Sequence, residues 1–243
     1  MHTRVDEIAE RVYRLSTFVP SAGGPAGFTF NQFLIDAEEP LLFHCGQRSL
    51  FASVSTAASR VMDVGRLRWI AFSHVESDEC GSVNDWLALA PRATAVHSRI
   101  GCNTWLNEMA DRSPRALADG EVLDLGGKRV RYLDTPHVPH GWDAGLLHEE
   151  TTGTLLCSDL FTQLGDGPAT TAGDIVGPAI AVEERFRFVP ITANTAPTIR
   201  RLAGLAPKVL ALMHGPAFCG PPGPVLQALA SYYDDQLRRA IAG

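Results

Sequence analysis

Metal-binding side chains cluster at four places in this sequence. The densest is His74-Val75-Glu76-Ser77-Asp78-Glu79-Cys80-Gly81, which directly follows the apolar run 67–73. In extended backbone, residues two apart point to the same side, so His74, Glu76 and Asp78 can converge. One imidazole and two carboxylates suit a divalent or trivalent first-row metal better than a soft thiolate site would. Alone, the segment reads equally well as an acidic helix N-terminus, with Asp78 and Glu79 at the positive end of the dipole.

Three further segments shift that balance. Residues 135–143 carry His137 and His140, residues 155–161 carry Asp159, and residues 209–216 carry His214. A carboxylate inside an apolar stretch is expensive to bury without a partner, and so is an imidazole behind five apolar residues. A shared metal centre would satisfy them all. Either His137 or His140 could supply the ligand from 135–143.

The elements that must position these side chains follow from hydrophobic spacing. Strands are predicted over 12–17, 28–36, 40–44, 67–73 and 94–97, and helices over 50–62, 82–89 and 101–110. A hairpin is expected within 121–133, with Gly126-Gly127 as its turn. Strands 144–148 and 154–158 should pair across 149–153. A helix is expected near 195–205, then a strand over 209–213 and a closing helix over 225–241. The Gly-, Ala- and Thr-rich stretch 165–181 reads as a loop shaping the site. Strands interspersed with helices in both halves predict two mixed sheets packed face to face, with helices outside.

The motifs resemble the metallo-β-lactamase superfamily along nearly the whole chain. Asn31-Gln32-Phe33-Leu34-Ile35-Asp36 looks like an early strand of that fold, and the four ligand segments arrive in its usual order. The resemblance implies an α+β, four-layer αββα sandwich, here a single domain over 1–243. Hydrolases of the superfamily usually carry His-x-His-x-Asp-His at the first segment, whereas Glu76 stands at the second position here. That change resembles flavodiiron proteins and the stand-alone oxygen-binding diiron proteins. The resemblance implies two iron ions, one held by His74, Glu76 and His140, the other by Asp78 and His214, with Asp159 shared. His140 is favoured over His137 because Gly141-Trp142-Asp143 resembles the family segment.

The departures matter too. Flavodiiron proteins usually have a histidine where Glu79 stands; Glu79 could ligate, bond a bound water, or simply open the helix. No Gly- or Thr-rich phosphate loop for FMN follows His214, so an external redox partner is expected to supply electrons. His44, Glu79, His137 and Asp143 are the candidates for supporting the ligands by hydrogen bonds. His2, His97 and His148 are expected to ligate nothing, and Cys80 to pack in the core.

Bulk composition fits this picture. The 243 residues are 45% hydrophobic and 20% charged, enough chain for a substantial core. A net charge of −6 with no basic run argues against nucleic-acid binding. No apolar stretch of about 20 residues is present, so no membrane span is expected. Five scattered cysteines form no CxxC pair, which suggests reduced thiols and a cytoplasmic location. The function expected is binding or reduction of O₂, or of NO. The alternative is a dinuclear metallohydrolase with zinc, manganese or iron, acting on an ester, lactone or phosphodiester. A homo-oligomer is compatible with either.

Overall fold

A computed structural model describes residues 1–242. Among the described residues, fourteen strands form two sheets. The first sheet runs in chain order through β1 (Thr3–Ala9), β2 (Val12–Val19), β3 (Phe28–Ile35), β4 (Leu41–Phe43), β5 (Trp69–Ala71), β6 (Thr94–Ser98) and β7 (Arg115–Leu117). Its first four strands are antiparallel, and β4 to β7 pair in parallel. The second comprises β8 (Val122–Asp124), β9 (Arg129–Asp134), β10 (Gly145–Glu149), β11 (Thr154–Leu156), β12 (Thr170–Thr171), β13 (Val209–Ala211) and β14 (Ala217–Phe218). Their spatial order is β12-β14-β13-β11-β10-β9-β8.

Period-two alternation assigns the side chains of buried strands to layers. In the first sheet, Leu34, Leu42, Ile70 and Ala95 pack with Val54, Ala57, Val83 and Trp86 of the helices Phe51–Ala58 and Val83–Leu89. Their sequence neighbours Phe33, Phe43, Ala71 and Val96 join Val130, Leu147, Leu156 and Ala211 of the second sheet in the central layer. On the second sheet's other face, Leu146, Leu155 and Leu210 meet Ile199, Leu226 and Leu229 of the helices Thr195–Gly204 and Pro222–Ala242. Helix, sheet, sheet and helix therefore stack as four layers, in agreement with the sandwich expected. Each fully buried Leu or Phe contributes on the order of 1.5–3 kcal/mol to the stack.

Several elements differ from expectation. Stretch 165–181 is no continuous loop, because β12 pairs with β14 and the helix Val176–Phe186 begins inside it. Gly177 and Pro178 hide that helix from sequence reading, yet proline is tolerated in a first turn, where its missing N–H has no helical partner. The strands at 67–73 and 209–213 shorten to Trp69–Ala71 and Val209–Ala211, since the chain peels away to build the site. The helix expected over 50–62 ends at Ala58. Helical backbone near 101–110 contains a π-helical turn, Cys102–Leu106. Among the described residues, no helix is long and apolar enough to cross a membrane.

Candidate metal centre

The four ligand segments meet where strands of both sheets end. His74 lies just beyond β5, His140 in the β9–β10 connection, Asp159 just beyond β11 and His214 just beyond β13. The sheets are stitched together here: Gly145 N–H donates to the Ser73 carbonyl at 2.9 Å, and Asn31 N–H to the Met213 carbonyl at 3.0 Å. Ser158, in left-handed backbone at φ 50°, turns the chain after β11 to place Asp159.

Six candidate ligands converge in two overlapping groups. His74, Glu76, His140 and Asp159 each offer one donor atom, all within 4.8 Å of one another. Glu76 Oε2 lies 3.1 Å from His74 Nε2 and 3.2 Å from His140 Nε2. Asp159 Oδ2 lies 3.6 Å and 3.4 Å from the same two nitrogens. Its other oxygen, Oδ1, lies 3.0 Å from His214 Nε2, which is 3.5 Å from Asp78 Oδ2. The Asp159 carboxylate thus faces His74 and His140 with one oxygen and His214 with the other.

This donor set fits a pair of cations. His214 Nδ1 is 2.8 Å from the Thr29 carbonyl, which can only accept, so Nδ1 carries a proton and Nε2 is the nitrogen left to face the carboxylates, or a metal once its own proton is displaced. His74 likewise turns Nδ1 away, 3.2 Å from Ser73 Oγ and 3.7 Å from Glu79 Oε1. His140 Nδ1 is buried without a partner, and its ring rests edge-on against Phe188 at 5.3 Å. Phe28 stacks on His214 at 4.0 Å. A shallow pocket of about 300 Å³, walled by Phe28, Gln47, Thr162 and Phe188, opens over the group.

Electrostatics points the same way. Burial disfavours charge on Asp159, but the hydrogen bond and charge of His214, with His74 and His140 behind, hold its carboxyl below the ordinary range. Hydrogen bonds from His140 and His74 hold Glu76 at about 2. Burial alone would lower His74, yet Glu79, Glu76 and Asp159 together push it up to about 10. His214 also rises against burial, through Asp159 and Asp78. Asp78 itself is raised, mainly by burial. Protons on these imidazoles occupy the place a metal cation would take, and binding would release them.

The supporting candidates separate. Glu79 is fully buried and turned away from the His214 group: it accepts from Ser73 N–H at 2.7 Å and from Ser158 O–H at 2.6 Å. Burial raises its carboxyl to about 8. His44 stands behind it, Nε2 3.2 Å from Glu79 Oε2, and burial lowers it to about 3. His137 lies outside the group, beside a separate cavity with Asn194 and Arg201. Asp143 turns from the ligands to His97 Nε2 at 3.1 Å and Trp105 Nε1 at 2.8 Å. Sequence reading missed that pairing; the available signal was a histidine inside the buried strand β6. The stretch 165–181 does not line the pocket; Phe188 does. A larger cleft of about 680 Å³ beside Glu183, Tyr232 and Tyr233 lies away from the converging imidazoles, so chemistry and not size marks the centre.

Comparison with solved structures defines the class. The fold superposes on rubredoxin oxygen:oxidoreductase from Desulfovibrio gigas with a TM-score of 0.82 at 17% identity, over 95% of this chain and 62% of that one. A fragment (1–254) of the putative diflavin flavoprotein A 5 from Nostoc sp. PCC 7120 gives 0.79 at 18% identity, covering 98% and 96%. The shared architecture is the metallo-β-lactamase fold. The chain belongs to the ODP family beta lactamases, whose family model matches residues 28–215. Among curated relatives, putative diflavin flavoprotein A 1 from Nostoc sp. is 28% identical over 199 residues, 78% of this chain and 34% of that protein. Putative diflavin flavoprotein A 2 from Synechocystis sp. is 29% identical over 56% of this chain and 24% of its own length. The matched part therefore spans about a quarter to a third of the length of these relatives.

Proposed function

We propose that this chain, acting as one domain, holds two iron ions and uses them to bind or reduce O₂, with NO as a second diatomic ligand. His74, Glu76 and His140 would hold one ion, Asp78 and His214 the other, and Asp159 both. The carrying observation is the division of the Asp159 carboxylate, Oδ2 toward His74 and His140 and Oδ1 toward His214. Carboxylate-rich sets of this kind favour iron, which supplies redox chemistry and open positions for diatomic ligands.

The chain's own residues supply the surroundings. Thr29 fixes the His214 tautomer. Phe28 and Phe188 limit water at the pocket, which is sized for a small molecule. Glu76, with its side chain half exposed, is the ligand nearest solvent. Electrons would arrive from a redox partner. Four buried, unpaired cysteines (Cys45, Cys80, Cys102 and Cys157) support a reducing, cytoplasmic setting.

Metal analysis of protein purified without added metal tests the proposal, paired with spectra under argon and under air. Two iron ions per chain, with O₂ uptake and a new absorption band on exposure of the reduced protein, are expected. Bound zinc or manganese with turnover of a phosphodiester or ester would replace this reading with the hydrolase. Iron without any O₂ or NO response would sink the diatomic chemistry.

A further inference from the structure

His140 is held unlike the other two histidines of the centre. His214 is fixed through Nδ1 by a backbone carbonyl, and His74 faces Ser73 and Glu79 through its Nδ1. His140 Nδ1 is buried with no partner, so its ring goes where its loop goes. That loop, 135–144, bonds largely to itself: Thr135 N–H to the Ala144 carbonyl, His137 N–H to the Gly141 carbonyl, Ala144 N–H to the Gly141 carbonyl and Thr135 O–H to the Val138 carbonyl.

Asp143 makes the outward connection. Its Oδ2 lies 3.1 Å from His97 Nε2 on β6, and both side chains are completely buried. Trp105 Nε1–H donates to the same oxygen at 2.8 Å, from the π-helical turn Cys102–Leu106. Ser98 O–H donates to the Asp143 carbonyl at 3.4 Å. Both ends of this clamp are tight. A Cβ at Gly101 would lie 2.1 Å from His97 Cδ2, so the helix backbone presses directly on the imidazole. Phe72 packs 5.1 Å from the His97 ring and 5.5 Å from Trp105. At the loop, Gly141 has φ +83°, and a Cβ there would lie 2.8 Å from His74 Cβ and 3.3 Å from Asp143 Oδ1. Asp143 thereby seats Gly141 against one candidate ligand and His140 beside it.

We infer that His97, Asp143 and Trp105 form a buried clamp that positions His140, and that metal occupancy of the His74–Glu76–His140 half depends on it while occupancy of the Asp78–His214 half does not. The inference rests on the dinuclear reading above. These three are positioning residues, because none faces the pocket.

Metal-stripped protein titrated anaerobically with Co²⁺, followed by visible absorption and tryptophan fluorescence, tests the clamp. Wild type should take up two ions. Asp143→Ala should keep one at wild-type affinity and bind the other about tenfold or more weakly, as expected when an outer partner of a ligand is lost. Asp143→Asn, which retains an acceptor for Trp105, should recover part of that loss. Trp105→Phe preserves ring packing and removes only the N–H donor. It should weaken the same single ion to a smaller degree and reduce the fluorescence change that accompanies its binding. Should Asp143→Ala fail to fold, Trp105→Phe carries the test alone. Two ions at wild-type affinity in a folded variant would overturn the clamp, as would equal weakening of both. Failure of wild type to bind two ions overturns the dinuclear reading instead, and the clamp falls with it.

Discussion

The His214 and His140 arms do the same job by different means. Beyond β13, the His214 arm is laced into the first sheet by backbone and amide: Asn31 N–H reaches the Met213 carbonyl, and Asn31 Nδ2 reaches the carbonyls of Leu212 and Gly215 at 2.8 Å each. The Asn31 side-chain oxygen, Oδ1, accepts in turn from Arg14, whose side chain is completely buried. His214 is 5% exposed at its side chain, and His140 is 19% exposed. The His140 arm stands off the sheets and hangs on side chains, chiefly Asp143. A backbone-laced arm is set once the sheets form. A side-chain-clamped arm has a local equilibrium of its own, which places adjustability in one half of the centre.

Asp159 is where that contrast should vanish, because one carboxylate serves both arms. Asp159→Ala is expected to lose both ions, read by metal analysis after purification; retention of two would show that the arms share no ligand. Next in size is Asn31→Ala. It removes two donors from buried carbonyls and an acceptor from buried Arg14, so destabilisation of about 3 kcal/mol is expected from the unsatisfied groups. Denaturant midpoints would measure this. A loss below about 1 kcal/mol, small against the usual cost of orphaned buried groups, would mean the His214 arm is no more firmly set than its counterpart.

The contrast also shows what a linear sequence carries. His74, Asp159 and His214 stood out because each ends or interrupts an apolar run, where burial without a partner is costly; Glu76, Asp78 and His140 were picked out with them through the family resemblance. The layers were legible from strands interspersed with helices and from the family resemblance, but the way Phe33-Leu34-Ile35, apolar throughout, divides between two cores was not. The supports were not. His97 and Asp143 lie 46 residues apart, and no local pattern records which buried histidine meets which carboxylate. β1 was missed because its polar sequence TRVDEIA makes a half-exposed edge strand with little alternation. The direction of Glu79 was equally illegible: spacing puts it beside the ligands, and only the helix Ser77–Cys80 turns it back toward Ser73 and Ser158.

That direction gives a smaller test. If Glu79 supports the His74 side alone, Glu79→Gln keeps two bound ions and lowers stability by about 1–2 kcal/mol. The amide oxygen can accept from only one of Ser73 N–H and Ser158 O–H; if it keeps Ser73, its N–H₂ faces the Ser158 hydroxyl, which must then accept where it donated before. Loss of one ion, with the His140 half still loaded, would place Glu79 on the second ion and erase the difference in how the arms are supported.

A further test lies at Glu183, whose charge reaches His140. Burial raises its carboxyl from 4.5 to about 7. Between those values the unfolded chain has released a proton that the folded chain still holds, so stability must fall as pH rises. The contribution is complete below pH 4.5 and is lost by about pH 7. Glu183→Gln should therefore flatten the pH dependence of the unfolding midpoint across that interval and leave the metal-free variant more stable than wild type at pH 8. Repeating the comparison with metal bound sharpens the contrast between arms: if the His140 side is the adjustable one, an ion there adds a fixed positive charge near Glu183, and the wild-type slope should become shallower. An unchanged slope would mean that the charge on the His140 arm does not reach the wall behind it.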